Sequence, residues 1–312
     1  MKAQTLLKFT WNSPQYTIII GVGLAFCGAI AFSLKAIFVK LIYLESDIDA
    51  YKLVALRMLF ALPIYLIVAW LQHRRVSPSL SHKDWYNMAL MGFLGYHLAS
   101  TFDFIGLKYV SAGMERLILF SYPTIVLLIA AWIYKKKITY IQYISLILTY
   151  LGIGFAYIGD LHMHQGTHIL MGSMYVFGAA VSFAIYMIGS GTLIPRFGVL
   201  RYNAYTMVIA SLTVIIQAAI QSPGDWFTYS PKVYYLTFAM SFFSTVIPTF
   251  LVTAGISRIG ASNASLISSV GPISTIILAD IFLDEIIGLN QVIGTALVMA
   301  GVMIISLMTK TK

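Results

Sequence analysis

Charge is scarce in this 312-residue chain: Asp, Glu, Lys and Arg together make up 10% of it, against about 25% in an ordinary soluble domain. Polar stretches are scarce too. None is longer than a short loop, which excludes a soluble domain beside the apolar runs. There is one cysteine, Cys27, inside the first apolar run, so disulfides play no part. No Gly-rich loop ending in Lys-Ser/Thr occurs, which excludes an ATP-binding cradle of that kind. Basic residues are not interleaved with aromatics as on a nucleic-acid surface, so no nucleic-acid partner is expected despite the net charge of +9. The opening MKAQTLLKFTWNSPQY lacks the layout of a secretory signal peptide.

What remains is grease: 59% of residues are hydrophobic and the mean hydropathy is +0.85. Apolar runs of about 20 residues are the length of a helical membrane span. Ten such runs are read at 17–41, 52–71, 84–106, 110–134, 138–159, 168–190, 203–221, 233–256, 260–283 and 287–308. All are predicted to be helices, because backbone polar groups in lipid need partners within the segment and no alternation of the barrel type is present. The expected fold is therefore an all-α membrane protein of ten transmembrane helices. With the N-terminus inside, thirteen Lys and Arg fall in cytoplasmic segments and three (Lys52, Lys108, Lys232) outside. The positive-inside rule then puts both termini in the cytoplasm.

Residues 83–152 align on 232–301 with a shift of 149 and no gap, giving 15 identities in 70 positions. The pairs Gly106/Gly255, Pro123/Pro272, Gln142/Gln291 and Gly152/Gly301 carry more weight than the apolar matches. The repeat predicts two units, 1–160 and 161–312, of five spans each. An odd number of spans forces the second unit to insert upside down, which is a transporter architecture with its substrate site between the halves near mid-depth.

The segment GLKYVSAGMERLILFSYPTIVLLIAAWIYKKKITYIQYISLILTYLGIG resembles the first repeat of EamA-type carriers of the drug/metabolite transporter superfamily. GISRIGASNASLISSVGPISTIILADIFLDEIIGLNQVIGTALVMAGV resembles the second, and ALRMLFALP resembles the family's Arg-bearing second helix. The resemblance implies two inverted five-helix halves around a central cavity, and secondary transport, often export of amino acids or other small metabolites across the cell (inner) membrane. The family usually carries a Glu after span four and another after span nine. Here Glu285 stands at the second position and Lys136 at the first.

Apart from Lys40, which lies nearer the water, and Asp280 near the outer end of span nine, the charges inside the spans belong to one group in the first half: Lys35, Arg57, Asp103, Glu115 and Arg116. Counted along their helices, all sit about 5–9 Å from the outer boundary at 1.5 Å per residue. A lone charge facing lipid costs about 2.5–3.5 kcal/mol, so a shared interior cluster is the economical arrangement. It reads either as a buried ion network that locks helices or as an outer gate that also meets substrate. The repeat mates of Glu115 and Arg116 are Ala264 and Ser265, so no matching lock is expected on the inner face. No cofactor is expected, and Glu115 or Asp103 is a candidate carrier of a coupling proton.

Tyr96, Ser100 and Asp103 at i, i+4 and i+7 form one helix face, as do Ser265, Ser268, Ser269, Pro272 and Thr275. Small hydroxyls also simply let membrane helices pack closely. Pro123 and Pro272 each remove a backbone donor at one repeat position, which predicts a helix break beside the cavity. The run GDLHMHQGTH holds His162, His164 and His168, read as an exposed loop in preference to a metal site because no Cys and no helical frame fix the geometry. The best reading is thus a secondary carrier in the bilayer acting on a small-molecule substrate. A membrane enzyme acting on a lipid-linked substrate, an importer of another metabolite class and a channel are the alternatives.

Overall fold

The computed structural model describes residues 14–75, 81–133, 135, 137–163, 168–259, 267–268 and 270–309. Among the described residues every regular element is helical. In chain order these are α1 (Pro14–Glu45), α2 (Ala50–Arg75), α3 (His82–Gly92), π1 (Phe93–Leu98), α4 (Ala99–Gly106), α5 (Ala112–Leu119) and α6 (Tyr122–Ile133). Then follow α7 (Tyr140–Met163), α8 (Ile169–Phe197), α9 (Val199–Gln221), α10 (Pro231–Ser241), π2 (Phe242–Val246), α11 (Ile247–Ile259), α12 (Val270–Leu283) and α13 (Leu289–Thr309). Seven segments are long and apolar enough to cross a membrane, and α12 and the described part of α13 are shorter apolar helices. The protein is a multi-pass membrane protein.

Local chemistry sets the breaks. Ser81 accepts from the Asp84 N–H at 3.2 Å while Asp84 accepts from the Ser81 N–H at 2.9 Å, a capping box that starts α3. Ser111 caps α5 by accepting from the Met114 N–H at 3.0 Å. Gly198 at φ +77 turns the chain between α8 and α9 without a loop, a conformation a side chain would strain.

The sequence repeat is also a structural one. π1 begins at Phe93 and π2 at Phe242, 149 residues later. The non-glycine residues with positive φ, Lys135 at 50° and Asp284 at 53°, are mates by the same shift. Helix contacts exchange in the same way. α7 packs on α13 and α2 on α9, each a helix against its own mate. α1 packs along α10, π2, α11 and α12, while its counterpart α8 packs along π1, α4, α5 and α6. The halves therefore embrace through a pseudo-two-fold exchange.

Glycines mark the closest seams. A Cβ at Gly152 would fall 2.6 Å from the Gly294 carbonyl oxygen, and one at Gly301 would fall 2.7 Å from the Ser145 carbonyl oxygen. The Ser145 hydroxyl donates to the Gly301 carbonyl. Without a hydrophobic drive between helices in lipid, such close backbone approach and added hydrogen bonds hold α7 to α13.

Candidate functional site

Three of the five predicted charges meet directly. Lys35, on α1, donates to Asp103 Oδ2 on α4 at 2.5 Å and to Glu115 Oε1 on α5 at 3.1 Å. The side chains of Lys35, Asp103 and Glu115 are 13%, 4% and 0% exposed. Asp103 and Glu115 also interact with each other. Asp103 Oδ1 and Glu115 Oε2 are buried and accept nothing. One ammonium thus holds two carboxyl groups, and each keeps one bare oxygen. Buried charge of this kind is tolerable only when paired.

The other two cations stand apart. Arg57, on α2, is buried; it donates to Ser100 Oγ at 2.9 Å, and its guanidinium lies 4.7 Å from the centre of the Phe104 ring. Its charge acts on Asp103 without an ion-pair contact. Arg116 turns away from Glu115 and lies against α12, where a Cβ at Gly271 would sit 2.5 Å from its Nη2. Among the described residues neither Arg57 nor Arg116 comes within ion-pair distance of a carboxylate. Glu115 and Arg116 are adjacent, yet one faces its own repeat and the other faces the second. On a helix, neighbours in sequence point about 100° apart.

The predicted Tyr96–Ser100–Asp103 face is split. π1 takes up Tyr96, and its wider turn rotates that residue relative to α4. Tyr96 meets Tyr186 of α8, hydroxyl to hydroxyl at 3.2 Å, while Ser100 and Asp103 keep to α2 and α1. Tyr186 stacks on Tyr202, whose hydroxyl meets Ser190 Oγ at 2.7 Å.

Pro123 does not kink a continuous helix. It sits in the first turn of α6, after a break at Phe120 and Ser121, where its missing donor is not needed. Ser121 and Thr124 hydroxyls donate to the carbonyls of Ile118 and Ser121 at 2.6 and 2.7 Å and close the break. Pro272 is the third residue of α12. Ser268 is half-buried in a helical segment, and Ser269, Ala264 and Ser265 lie outside the described residues.

Sequence reading passed over a second cluster beside the first. At the end of the bundle where α5 begins, a cavity of about 440 Å³ is lined by Ser111, Met114, Gly159, Asp160, Glu285 and Gln291, among others. Asp160 Oδ2 accepts from the Ser111 N–H at 3.1 Å and Glu285 Oε1 from the Ala112 N–H at 3.0 Å. An acid from each repeat thus neutralises the positive end of the helix that carries Glu115. Lys40 interacts electrostatically with Glu285, Asp160 and Glu115, and so links the cavity to the buried triad. The family-type Glu285 was the one signal in the sequence. Asp160 had the look of a loop acid, and Gln291 that of a repeat match.

An ion pair also stands at the opposite end of the bundle. Arg196, at the end of α8, donates twice to buried Asp84 of α3, at 2.6 and 3.1 Å. Its pseudo-symmetric counterpart joins α10 to α1 through Lys232 and Glu45 at 2.6 Å. The two pairs have opposite polarity, which a search for identical residues between repeats does not detect. In the histidine run, His164 and the side chain of His162 lie outside what is described, and His168 packs its ring on Tyr109 at 5.9 Å. No group of three or more metal-ligating side chains occurs among the described residues.

Known proteins resemble this chain along most of its length. The family model described as EamA-like transporter family matches residues 19–158 and again 170–307. An uncharacterized transporter of Bacillus subtilis (strain 168), YcbK, is 33% identical over 273 residues, covering 86% of this chain and 86% of that protein. A second from the same organism, uncharacterized transporter YetK, is 24% identical over 233 residues, covering 73% and 69%. One solved crystal structure, described only as that of a protein, superimposes with a TM-score of 0.64 at 15% identity, covering 96% of this chain and 99% of its own. That last likeness concerns the fold alone.

Proposed function

This chain belongs to the EamA-like transporter family, and from that premise we propose that it is a secondary active carrier exporting a small metabolite, an amino acid or related compound, across the cell (inner) membrane. Ten spans form two inverted five-helix units, 1–160 and 161–312, with both termini cytoplasmic. α3–π1–α4 and α10–π2–α11 each run on through a π turn, and α5 and α6 meet at a short break, so each of the three counts as one span. The end bearing Ser111, Asp160 and Glu285 then faces outward and the end bearing Asp84 and Arg196 faces the cytoplasm.

The observation that carries this reading is the triad. Lys35, Asp103 and Glu115 tie α1, α4 and α5 together at the outer third of the bundle. A gate must be strong when closed and cheap to open. Two carboxyl groups sharing one ammonium meet that need if one of them takes a proton. The proton would lie between acceptors that now have bare oxygens, and the remaining Lys–carboxylate pair would stay neutral. We therefore read Asp103 and Glu115 as the proton-coupling pair and the Arg57, Ser100 and Tyr96 surface as the wall beside the path. Inverted repeats with a pseudo-two-fold exchange supply the two alternative packings that rocking requires.

Counterflow of candidate amino acids in proteoliposomes tests the carrier reading. Saturable exchange that responds to an imposed pH gradient supports it, and flux that never saturates with concentration overturns it in favour of a channel. Appearance of a new chemical species in place of exchange would support the enzyme alternative. Comparing the metabolites in medium from cells lacking and overproducing the protein identifies the cargo.

A further inference from the structure

Gln291 and Gln142 are repeat mates with opposite employment. Gln142 accepts from the Thr139 N–H at 2.9 Å and so caps the start of its own helix. In the second repeat the cap position is Gly288, which has no side chain to reciprocate, and the Gln291 amide is released from that duty. It turns instead into the cavity at the Ser111 end, where Gly113 leaves room for its Nε2. Gln291 is 9% exposed, and its side chain has no hydrogen-bond partner among the described residues. One carboxylate oxygen beside it shares the condition: Glu285 Oε2 is buried and accepts nothing, although Oε1 of the same group is held by the Ala112 N–H.

We propose that this cavity is an outer binding site for a primary ammonium group on a small organic cation. The charge of the walls sets the sign of the ligand. Asp160, Asp284 and Glu285 bring three carboxylates to the wall, and Lys40 acts on Asp160 and Glu285. An anion would face that surplus unaided. An ammonium brings up to three N–H donors, and the carboxylates of the wall and the Gln291 carbonyl oxygen are the acceptors it meets. The volume of about 440 Å³ admits a chain of several carbons behind the charged end. Lys40 gives the site a connection to the triad, since it acts on Glu285 and Glu115 alike. A cation seated in the cavity raises the local positive potential and repels Lys40. Only the outward placement of the site rests on the proposed topology.

Binding measured on purified protein in nanodiscs tests the site without any transport, so a failed carrier assay and a failed site give different results. Methylammonium and 1,4-diaminobutane are the probes, with sodium and tetramethylammonium at equal ionic strength as contrasts. The expected result is saturable binding of both primary amines, weakened at least about 10-fold in Glu285→Gln and Gln291→Leu and strengthened in Gln291→Glu. If Glu285→Gln loses its fold along with the α5 contact, Gln291→Leu decides, because that side chain holds no partner in the structure. Equal binding of tetramethylammonium, which has no N–H, or of sodium overturns the proposal. So does unchanged affinity in Gln291→Leu.

Discussion

Replacing Lys35 by methionine removes the only cation within ion-pair distance of Asp103 and Glu115 among the described residues. Met fills nearly the same volume, so the packing of α1 is preserved and the charge alone is lost. Two carboxylates then share a buried pocket with no counter-ion in contact. Deleting one partner of a buried pair costs about 3–5 kcal/mol. Arg57 does not rescue them, since its guanidinium is committed to Ser100 and the Phe104 face. Glu115→Gln alone is milder: the 2.5 Å Lys35–Asp103 pair survives, and a neutral amide replaces one charged acceptor, at about 1–2 kcal/mol. The triple variant Lys35→Met, Asp103→Asn, Glu115→Gln leaves no uncompensated carboxylate and should regain part of the loss, since buried Arg57 then loses the Asp103 charge that acts on it. Thermal unfolding in nanodiscs, followed by loss of monodisperse protein, gives the order: wild type highest, then the triple variant and Glu115→Gln, with Lys35→Met lowest. A Lys35→Met protein as stable as Glu115→Gln would refute the triad as the holder of these helices.

Three further outcomes are expected. Glu115→Gln should leave counterflow at a single pH measurable but abolish its response to a pH gradient, read by reconstituting both proteins and varying only the inner pH. Gly152→Ala should destabilise by about 1–3 kcal/mol, because the new carbon meets the Gly294 carbonyl oxygen at 2.6 Å, whereas Gly154→Ala, which meets nothing within 4 Å, should be neutral; paired melting curves check both. Gly271→Val should displace Arg116 from α12 and slow transport with little loss of stability, because the obstructed atom is the far end of a flexible side chain; initial rates set against melting temperature separate the two effects.

The fold was legible because lipid leaves few options. A chain with 59% hydrophobic residues and 10% charge must satisfy its backbone within helices, and the 149-residue shift exposed the repeat. The charges were legible as a group by the same reasoning: each was too costly to face lipid. Their partners were not. Sequence spacing put Tyr96 in line with Asp103, but it lies in a π turn and meets α8 instead. Pro123 and Pro272 announced a break yet not its place, which the hydroxyls of Ser121 and Thr124 fix one residue on either side of Tyr122 and Pro123.

The sequence by itself therefore determined that this protein crosses a membrane repeatedly, that it is built from a duplicated unit, and which five residues must be hidden from lipid. Only the tertiary structure decided that Lys35, and not the neighbouring Arg116, holds Glu115. It alone turned Gln291 into a cavity while Gln142 caps a helix, and it joined Asp84 to Arg196 at the far end. The reason is geometric. Cost of burial is a property of a residue and its solvent, which the sequence states. Pairing depends on where helices from two halves cross, and the crossing is set by close approach at glycines such as Gly152 and Gly271 that composition cannot locate.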